Sequence, residues 1–276
     1  MALQTLAEAE ATARSRRVPG GLVLSWRQYR FWLTFFRRTW RGTVLSALIG
    51  PVMYLTAMGV GIGTLVNRGL PGGTDYLSFI APGVLAATAM QNGIFEGSFT
   101  ILGSLKWNGN YWAAMNTPQR PQDIMLGTAW QGLMRILGVS VVFYAAMVGF
   151  GTVHSAWGLL ALPVVLLTGA VFLFAMMAFS VTVDSDQPLN VVFRFVMTPL
   201  FLFSGTFFPW QQLPVWMHPI AFATPLWQGV ELSRELTLGT VDAGSALLHT
   251  GYLLAALALG YALARRNFRR RLYLDR

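Results

Sequence analysis

Six stretches of this chain are long and apolar enough to cross a lipid bilayer, and that fact limits its fold more than any motif. They run over Thr43–Val66, Leu77–Leu105, Ile124–Gly151, Trp157–Val183, Leu189–Phe208 and Ala243–Ala264. A helix needs about 20 residues to span the hydrocarbon core. Hydrocarbon offers the backbone no hydrogen-bond partner, so each stretch must be helical or belong to a closed barrel. The apolar residues run continuously instead of alternating, which selects helices. Only 11% of the residues are charged, where a soluble domain carries charge at roughly a quarter of its positions. The expected class is an all-α integral membrane protein with six transmembrane helices.

Arginine placement sets the expected orientation. Arg14, Arg16, Arg17, Arg27, Arg30, Arg37, Arg38 and Arg41 precede the first span, and Arg265, Arg266, Arg269, Arg270, Arg271 and Arg276 follow the last. Six crossings put both termini on one side, and the excess of arginine makes that side cytoplasmic. Lys106 and Arg120 fall there too. The outer loops hold only Arg68 and Arg234, beside Asp75, Glu231, Glu235 and Asp242. The net charge of +9 is therefore topological, and no nucleic-acid partner is expected. The location expected is the cytoplasmic (inner) membrane. No short apolar core with a small-residue cleavage site marks a signal peptide. The lack of cysteine removes thiolate metal sites, and His154 and His218 have no neighbours at metal-ligand spacing.

Along the chain, residues 1–21 read as a mobile cytoplasmic tail ending in Pro19-Gly20-Gly21. Residues 22–41 mix aromatics and arginines at helical spacing, with Trp26, Tyr29, Trp32, Leu33 and Phe36 on one face and Arg27, Arg30, Arg37 and Arg38 largely elsewhere. That pattern predicts an amphipathic helix lying in the membrane interface; the alternative is a soluble cap over the bundle. The six-helix domain covers 42–264, and 265–276 reads as a basic cytoplasmic tail. Gly59, Gly61 and Gly63 lie inside an apolar helix with no preceding strand, so they serve helix packing, not nucleotide binding. After the fifth span, some thirty residues rich in proline and tryptophan predict short re-entrant or interfacial helices on the outer face. The absence of an internal repeat argues against an inverted-repeat transporter.

Ionisable groups in hydrocarbon are costly and face a bundle interior, a cavity or one another. Here they are Glu96, Arg135 and Arg194, with His249 in the outer part of the last span. Glu96 and Arg135 lie at depths compatible with an ion pair, serving either structure or the handling of substrate or protons. Gln91 and Asn92 join them as expected polar positions along a path. Arg194 sits near the inner boundary and snorkels. Ser204 and His249 share a depth, as a serine–histidine dyad would require. However, Leu202-Phe203-Ser204-Gly205 lacks the first glycine of the rhomboid Gly-x-Ser-Gly, and no assisting asparagine or acid accompanies it. An intramembrane hydrolase is therefore a remote reading. Lys106, the only lysine, lies between Leu105 and Trp107, which excludes a Walker A loop. Any ATP-driven motor must be another polypeptide.

Between the second and third spans, FEGSFTILGSLKWNGNYWAAMNTPQRPQDIMLG (Phe95 to Gly127) interrupts the hydrocarbon. So elaborate a connector reads as a docking surface. Phe95-Glu96, Lys106-Trp107, Tyr111, Ala113, Thr117-Pro118, Asp123-Ile124, Gly127 and Trp130 resemble a signature of type-2 ABC transporter permeases. The outer segment SGTFFPWQQLPVWMHPIAFATPLWQGVELSREL resembles that family's second hallmark, which ends on an arginine. The branch most resembled contains lipo-oligosaccharide (nodulation-factor) and daunorubicin-type drug exporters.

The resemblance implies two permease subunits, expected as a homodimer, assembled with two ATP-binding subunits that hold ATP and magnesium; this chain holds no cofactor of its own. It also implies a cytoplasmic coupling helix in the loop that contacts the ATP-binding subunit, with Lys106, Trp107, Tyr111, Trp112, Met115, Thr117 and Pro118 as the coupling residues. The substrate implied is amphiphilic or hydrophobic, a glycolipid, lipo-oligosaccharide or drug. It would follow a path lined mainly by the second and fifth spans and leave past an outer gate at Ser204, Phe207 and Phe208. Trp112 and Thr128 stand where the family often has glutamate, so aromatic packing is expected to replace acidic contacts to the motor. The rival from another class is a membrane scaffold that transports nothing.

Overall fold

The computed structural model describes residues 49–50, 52–62, 75–207, 209–212 and 214–274. The expected interfacial helix (Trp26, Arg27, Arg30, Trp32, Arg37, Arg38), residues 43–48, 51 and 63–66 of the first expected span, and Phe208 lie outside the described residues. Among the described residues all regular structure is helical. Four helices among the described residues are long and apolar enough to cross a membrane: Tyr76–Trp107, Pro121–Gly149, Ala156–Ser180 and Ala243–Leu274. These match the second, third, fourth and sixth expected spans.

In chain order, α1 is Tyr76–Leu102, continued by a wider turn over Gly103–Trp107, and α2 is the short helix Asn110–Met115. Helix α3 is Pro121–Gly149, and α4 is Ala161–Ser180, entered through a tight turn at Ala156–Leu160. Helix α5 is Gln187–Phe203, α6 His218–Phe222, α7 Pro225–Leu238 and α8 Ala243–Leu274. The long helices alternate in direction, so one end of the bundle carries Lys106, α2, Asp184 and the end of α8. The other carries the start of α1, the 204–242 segment and Arg234.

Local chemistry explains the boundaries. Gly109 takes a left-handed conformation (φ 63°) that turns the chain from α1 into α2 at no Cβ cost. Pro121 opens α3 in the first turn, where a missing N–H is harmless, and the Asp123 carboxylate accepts the Arg120 N–H at 3.0 Å. Thr224 caps α7 by accepting from the Trp227 N–H at 3.3 Å, and Gly239 (φ 81°) ends it.

The core is the crossing of α1 with α4, the most extensive helix pair in the bundle. Gly93 and Gly97, one turn apart on α1, lie against the α4 backbone around Gly169 and Leu173. Small residues permit this approach where lipid supplies no hydrophobic drive for association. A Cβ on Gly97 would stand 2.6 Å from the Leu173 carbonyl oxygen. Gly97→Ala is expected to destabilise the bundle by about 1–3 kcal/mol, measured as a lowered midpoint of thermal or denaturant unfolding in detergent.

Two boundaries differ from expectation. The helix at the expected fifth span stops at Phe203, five residues early, leaving 17 residues, or about 26 Å, short of a roughly 30 Å core. The reason lies in the next turn: Gly205 takes φ 74°, and its carbonyl is captured by a side chain from α7. The last helix, in contrast, runs ten residues past Ala264 to Leu274. Ala264, Phe268 and Leu272, four residues apart, are fully buried. What reads as a basic tail in the sequence is thus a packed amphipathic helix.

Candidate functional site

At the Lys106 end, α2 is fixed to the bundle by its first turn. Tyr111 is fully buried, with its hydroxyl 3.0 Å from Thr128 Oγ1 on α3 and its ring 6.0 Å from that of Phe268 on α8. The Thr128 hydroxyl donates to the Ile124 carbonyl at 3.0 Å, so it accepts from Tyr111. Burial pushes the Tyr111 phenol well above its ordinary range, and it stays a neutral donor. Trp112 is half-buried, and its indole N–H reaches the Leu105 carbonyl at 3.1 Å. Met115 packs half-buried beside them.

The outward side of this connector is open. Trp107 is 66% exposed, and Lys106, Asn108, Ala113, Asn116, Thr117 and Pro118 are exposed too. The expected contact residues therefore divide in two. Trp107, Thr117 and Pro118 are free for a partner, while Tyr111 and, in part, Trp112 face inward. Thr128 is also an internal partner, 1% exposed, so its departure from the family pattern alters a joint within the chain and not a contact surface.

Lys106 itself is engaged. Its Nζ lies 2.6 Å from Asp184 Oδ1, in the turn between α4 and α5, and Arg271 on α8 holds the same oxygen. Hydrogen bonds from Lys106 and then Arg271 hold the exposed Asp184 carboxyl below the usual carboxylate range. A carboxyl depressed by folding contributes stability above its unfolded value of about 3.9, lost as pH falls through the lower folded value. The clip is thus whole at neutral pH and opens only in acid. Because Lys106 is the sole lysine, its labelling by an amine reagent reports the clip. Asp184→Asn is expected to speed that labelling roughly two- to fivefold at neutral pH, read by peptide mass spectrometry.

Midway along the bundle, Arg135 on α3 lies 2.6 Å from Glu96 Oε1 on α1, the ion pair that the depths allowed. Glu96 is buried and also receives Thr100 Oγ1 at 3.3 Å, whereas the Arg135 side chain is 43% exposed. Beside it, α1 is open along one stripe: Thr88, Gln91, Asn92, Phe95 and Phe99 are half-buried or exposed at three- and four-residue spacing. Phe95 meets Phe99 at 5.6 Å, and Phe99 meets Phe193 of α5 at the same distance. The stripe therefore adjoins α5. Arg194 is exposed on α5.

At the opposite end, the arginine that closes the second motif gathers the outer segment. Arg234 is 7% exposed and lies on α7. Its guanidinium donates to the Gly205 carbonyl at 2.7 Å, the Phe79 carbonyl at 3.1 Å and Glu231 at 2.9 Å. It also sits 3.9 Å above the Phe79 ring centroid, a cation–π contact. A Cβ on Gly83 would meet Thr206 backbone atoms at 3.0–3.1 Å, so the segment lies directly on α1. Ser204 is buried with its hydroxyl 3.0 Å from that of Thr206, and Phe207 meets Phe201 edge-on at 4.9 Å. His249 is engaged elsewhere, hydrogen-bonded through Nδ1 to Gln228 Oε1. Ser204 and His249 each hold another partner, and no dyad forms.

Phe268 and Asp184 are residues that sequence reading does not assign, and neither carries a local signal. Arg234 is visible only as the last letter of a motif, and Thr128 only as a departure from the family pattern.

The ABC-2 type transporter family matches residues 22–238. Nodulation protein J of Rhizobium leguminosarum bv. viciae is 32% identical over 250 residues, covering 87% of this chain and 95% of its own length. Nodulation protein J of Bradyrhizobium diazoefficiens is 31% identical over 254 residues, covering 87% and 94%. The inner membrane transport permease YadH of Escherichia coli is 28% identical over 197 residues, covering 71% of each. With its apolar helices and both signature segments in place, this integral membrane chain belongs to the ABC-2 type transporter family.

Proposed function

We propose that this chain is the six-span membrane permease subunit of an ATP-driven exporter in the cytoplasmic membrane. It works as a homodimer with a separate ATP-binding subunit, and both termini are cytoplasmic. The observation that carries the proposal is the α1–α3 connector, in which the short helix α2 is anchored inward by Tyr111 while Trp107, Ala113, Thr117 and Pro118 are exposed. A helix so held transmits a push from a motor to α1, α3 and α8 as a rigid-body movement. ATP and Mg²⁺ belong to the motor.

An amphiphilic or hydrophobic substrate, such as a glycolipid, lipo-oligosaccharide or drug, passes along the Gln91, Asn92, Phe95 and Phe99 stripe. Its apolar part meets the phenylalanines, and its polar part meets the amides and the open side of Arg135. It leaves past Phe207 and Phe208, and the Ser204 hydroxyl bonds within the turn that leads to Phe207.

The test is co-purification with the ATP-binding subunit and ATP turnover by the reconstituted pair. Trp107→Ala is expected to weaken the pair roughly tenfold or more, as loss of a central aromatic anchor does, while the permease stays folded. Unchanged affinity, turnover and transport would remove the docking role, and a scaffold would show no turnover at all.

A further inference from the structure

Helix α8 continues past its apolar run with two unlike faces. Ala264, Phe268 and Leu272 are buried, with Phe268 against Tyr111 of α2. Arg265, Arg266, Arg269 and Arg270 are exposed and form two like-charge pairs four residues apart, a spacing that weakens a helix in water. Among the described residues none of these four forms an ion pair with a carboxylate, and Asp184 is occupied by Lys106 and Arg271. The face is therefore left cationic and uncompensated.

Its position selects the ligand. The apolar run ends at Ala264, and at 1.5 Å per residue Arg270 is about 9 Å beyond it. A headgroup layer is roughly 5–8 Å deep, and arginine stems reach back towards it. Arg265 lies against the Gln122 amide, and the guanidiniums of Arg266, Arg269 and Arg270 lie within reach of lipid phosphates. Arg266 and Arg270, two residues either side of Phe268, stand about 160° round the helix from it. They point away from α2, the element that serves the motor. We propose that this face binds the phosphates of anionic phospholipids in the adjoining leaflet, and that Phe268 carries the effect to the seat of α2. The placement in the cytoplasmic leaflet rests on the orientation proposed above; the phosphate chemistry does not.

The test uses the full chain in detergent, followed by native mass spectrometry with phosphatidylglycerol, phosphatidylcholine or inorganic phosphate. Phosphatidylglycerol is expected to be retained over phosphatidylcholine by about tenfold or more. R269Q/R270Q, which keeps the pair nearest the membrane and so the topology, should lose most of that preference. R269K/R270K and R120Q, the latter altering another exposed arginine at this end, should keep it. In phosphatidylglycerol bilayers, amide exchange over Asn110–Met115 should slow several-fold relative to phosphatidylcholine in the wild type and not in R269Q/R270Q. Equal lipid retention by wild type and R269Q/R270Q would overturn the proposal, as would competition by inorganic phosphate at equal concentration. An R269Q/R270Q variant with intact lipid preference that no longer binds the ATP-binding subunit would assign the face to the motor instead. Failure of the exporter reading is separately visible, as absent ATP turnover with the lipid preference unchanged.

Discussion

Tyr111→Ala is expected to release α2 from the bundle and abolish coupling. The side chain is fully buried, and truncating a buried aromatic costs about 3–5 kcal/mol. The loss falls on a six-residue helix that is too short to persist alone. Removal of the ring leaves Phe268 facing a void and Thr128 without its donor. The long helices do not depend on this joint, so far-ultraviolet circular dichroism should change little. Exchange over Asn110–Met115 should rise towards the unfolded rate, and transport with the ATP-binding subunit should be lost. Tyr111→Phe separates the ring from the hydroxyl. It keeps the packing, costs about 1 kcal/mol for the lost hydrogen bond, and should retain most transport. If Tyr111→Ala left both exchange and transport unchanged, the joint would have no mechanical role.

The second large effect is expected at Arg234. Its guanidinium serves two backbone carbonyls, one carboxylate and one aromatic face from three parts of the chain. Arg234→Ala leaves the Gly205 and Phe79 carbonyls short of a donor and Glu231 short of its counter-charge. Removing one partner from such a buried ionic network costs about 3–5 kcal/mol. Arg234→Lys should recover only part of this, because one ammonium cannot replace a planar fork of donors. The turn over Ser204–Phe207 should detach from α1, so limited proteolysis within 204–217 should accelerate sharply. Because Phe207 and its neighbour form the proposed outer gate, transport should fail or leak in the same variant. A proteolysis pattern identical to wild type would show that the clamp is dispensable.

Much of this architecture is legible before any coordinates. Continuous apolar runs mark the long helices because hydrocarbon forces every backbone group into a helix. Glycine packing is read in the sequence only at Gly59, Gly61 and Gly63, and the close approach of Gly93 and Gly97 on α1 to α4 emerges only in the fold. The depth argument places Glu96 and Arg135 correctly because 1.5 Å per residue is a reliable ruler along a helix.

What periodicity misses is long-range. Phe268 and Leu272 sit among arginines, so local hydropathy hides the face they bury. Asp184 looks like one acid of a short loop until Lys106 and Arg271 converge on it. Tyr111 and Thr128 are 17 positions apart, and their hydrogen bond depends on how α2 folds back onto α3. Arg234 reads as an outer-loop charge, yet it is buried because the segment around it folds inward and supplies carbonyls.

The central claim is that the outward face of α2 meets an ATP-binding subunit, and cross-linking from position 113 tests it most directly. The chain has no cysteine, so Ala113→Cys, exposed on α2, gives a unique attachment point for a short photo-reactive probe and leaves Trp107 in place. In membranes containing the permease and its ATP-binding subunit, the account predicts one dominant adduct to that subunit, with a yield that changes when ATP is added. Adducts only to lipid or to a second permease copy, with both subunits present and ATP turnover intact, would contradict it.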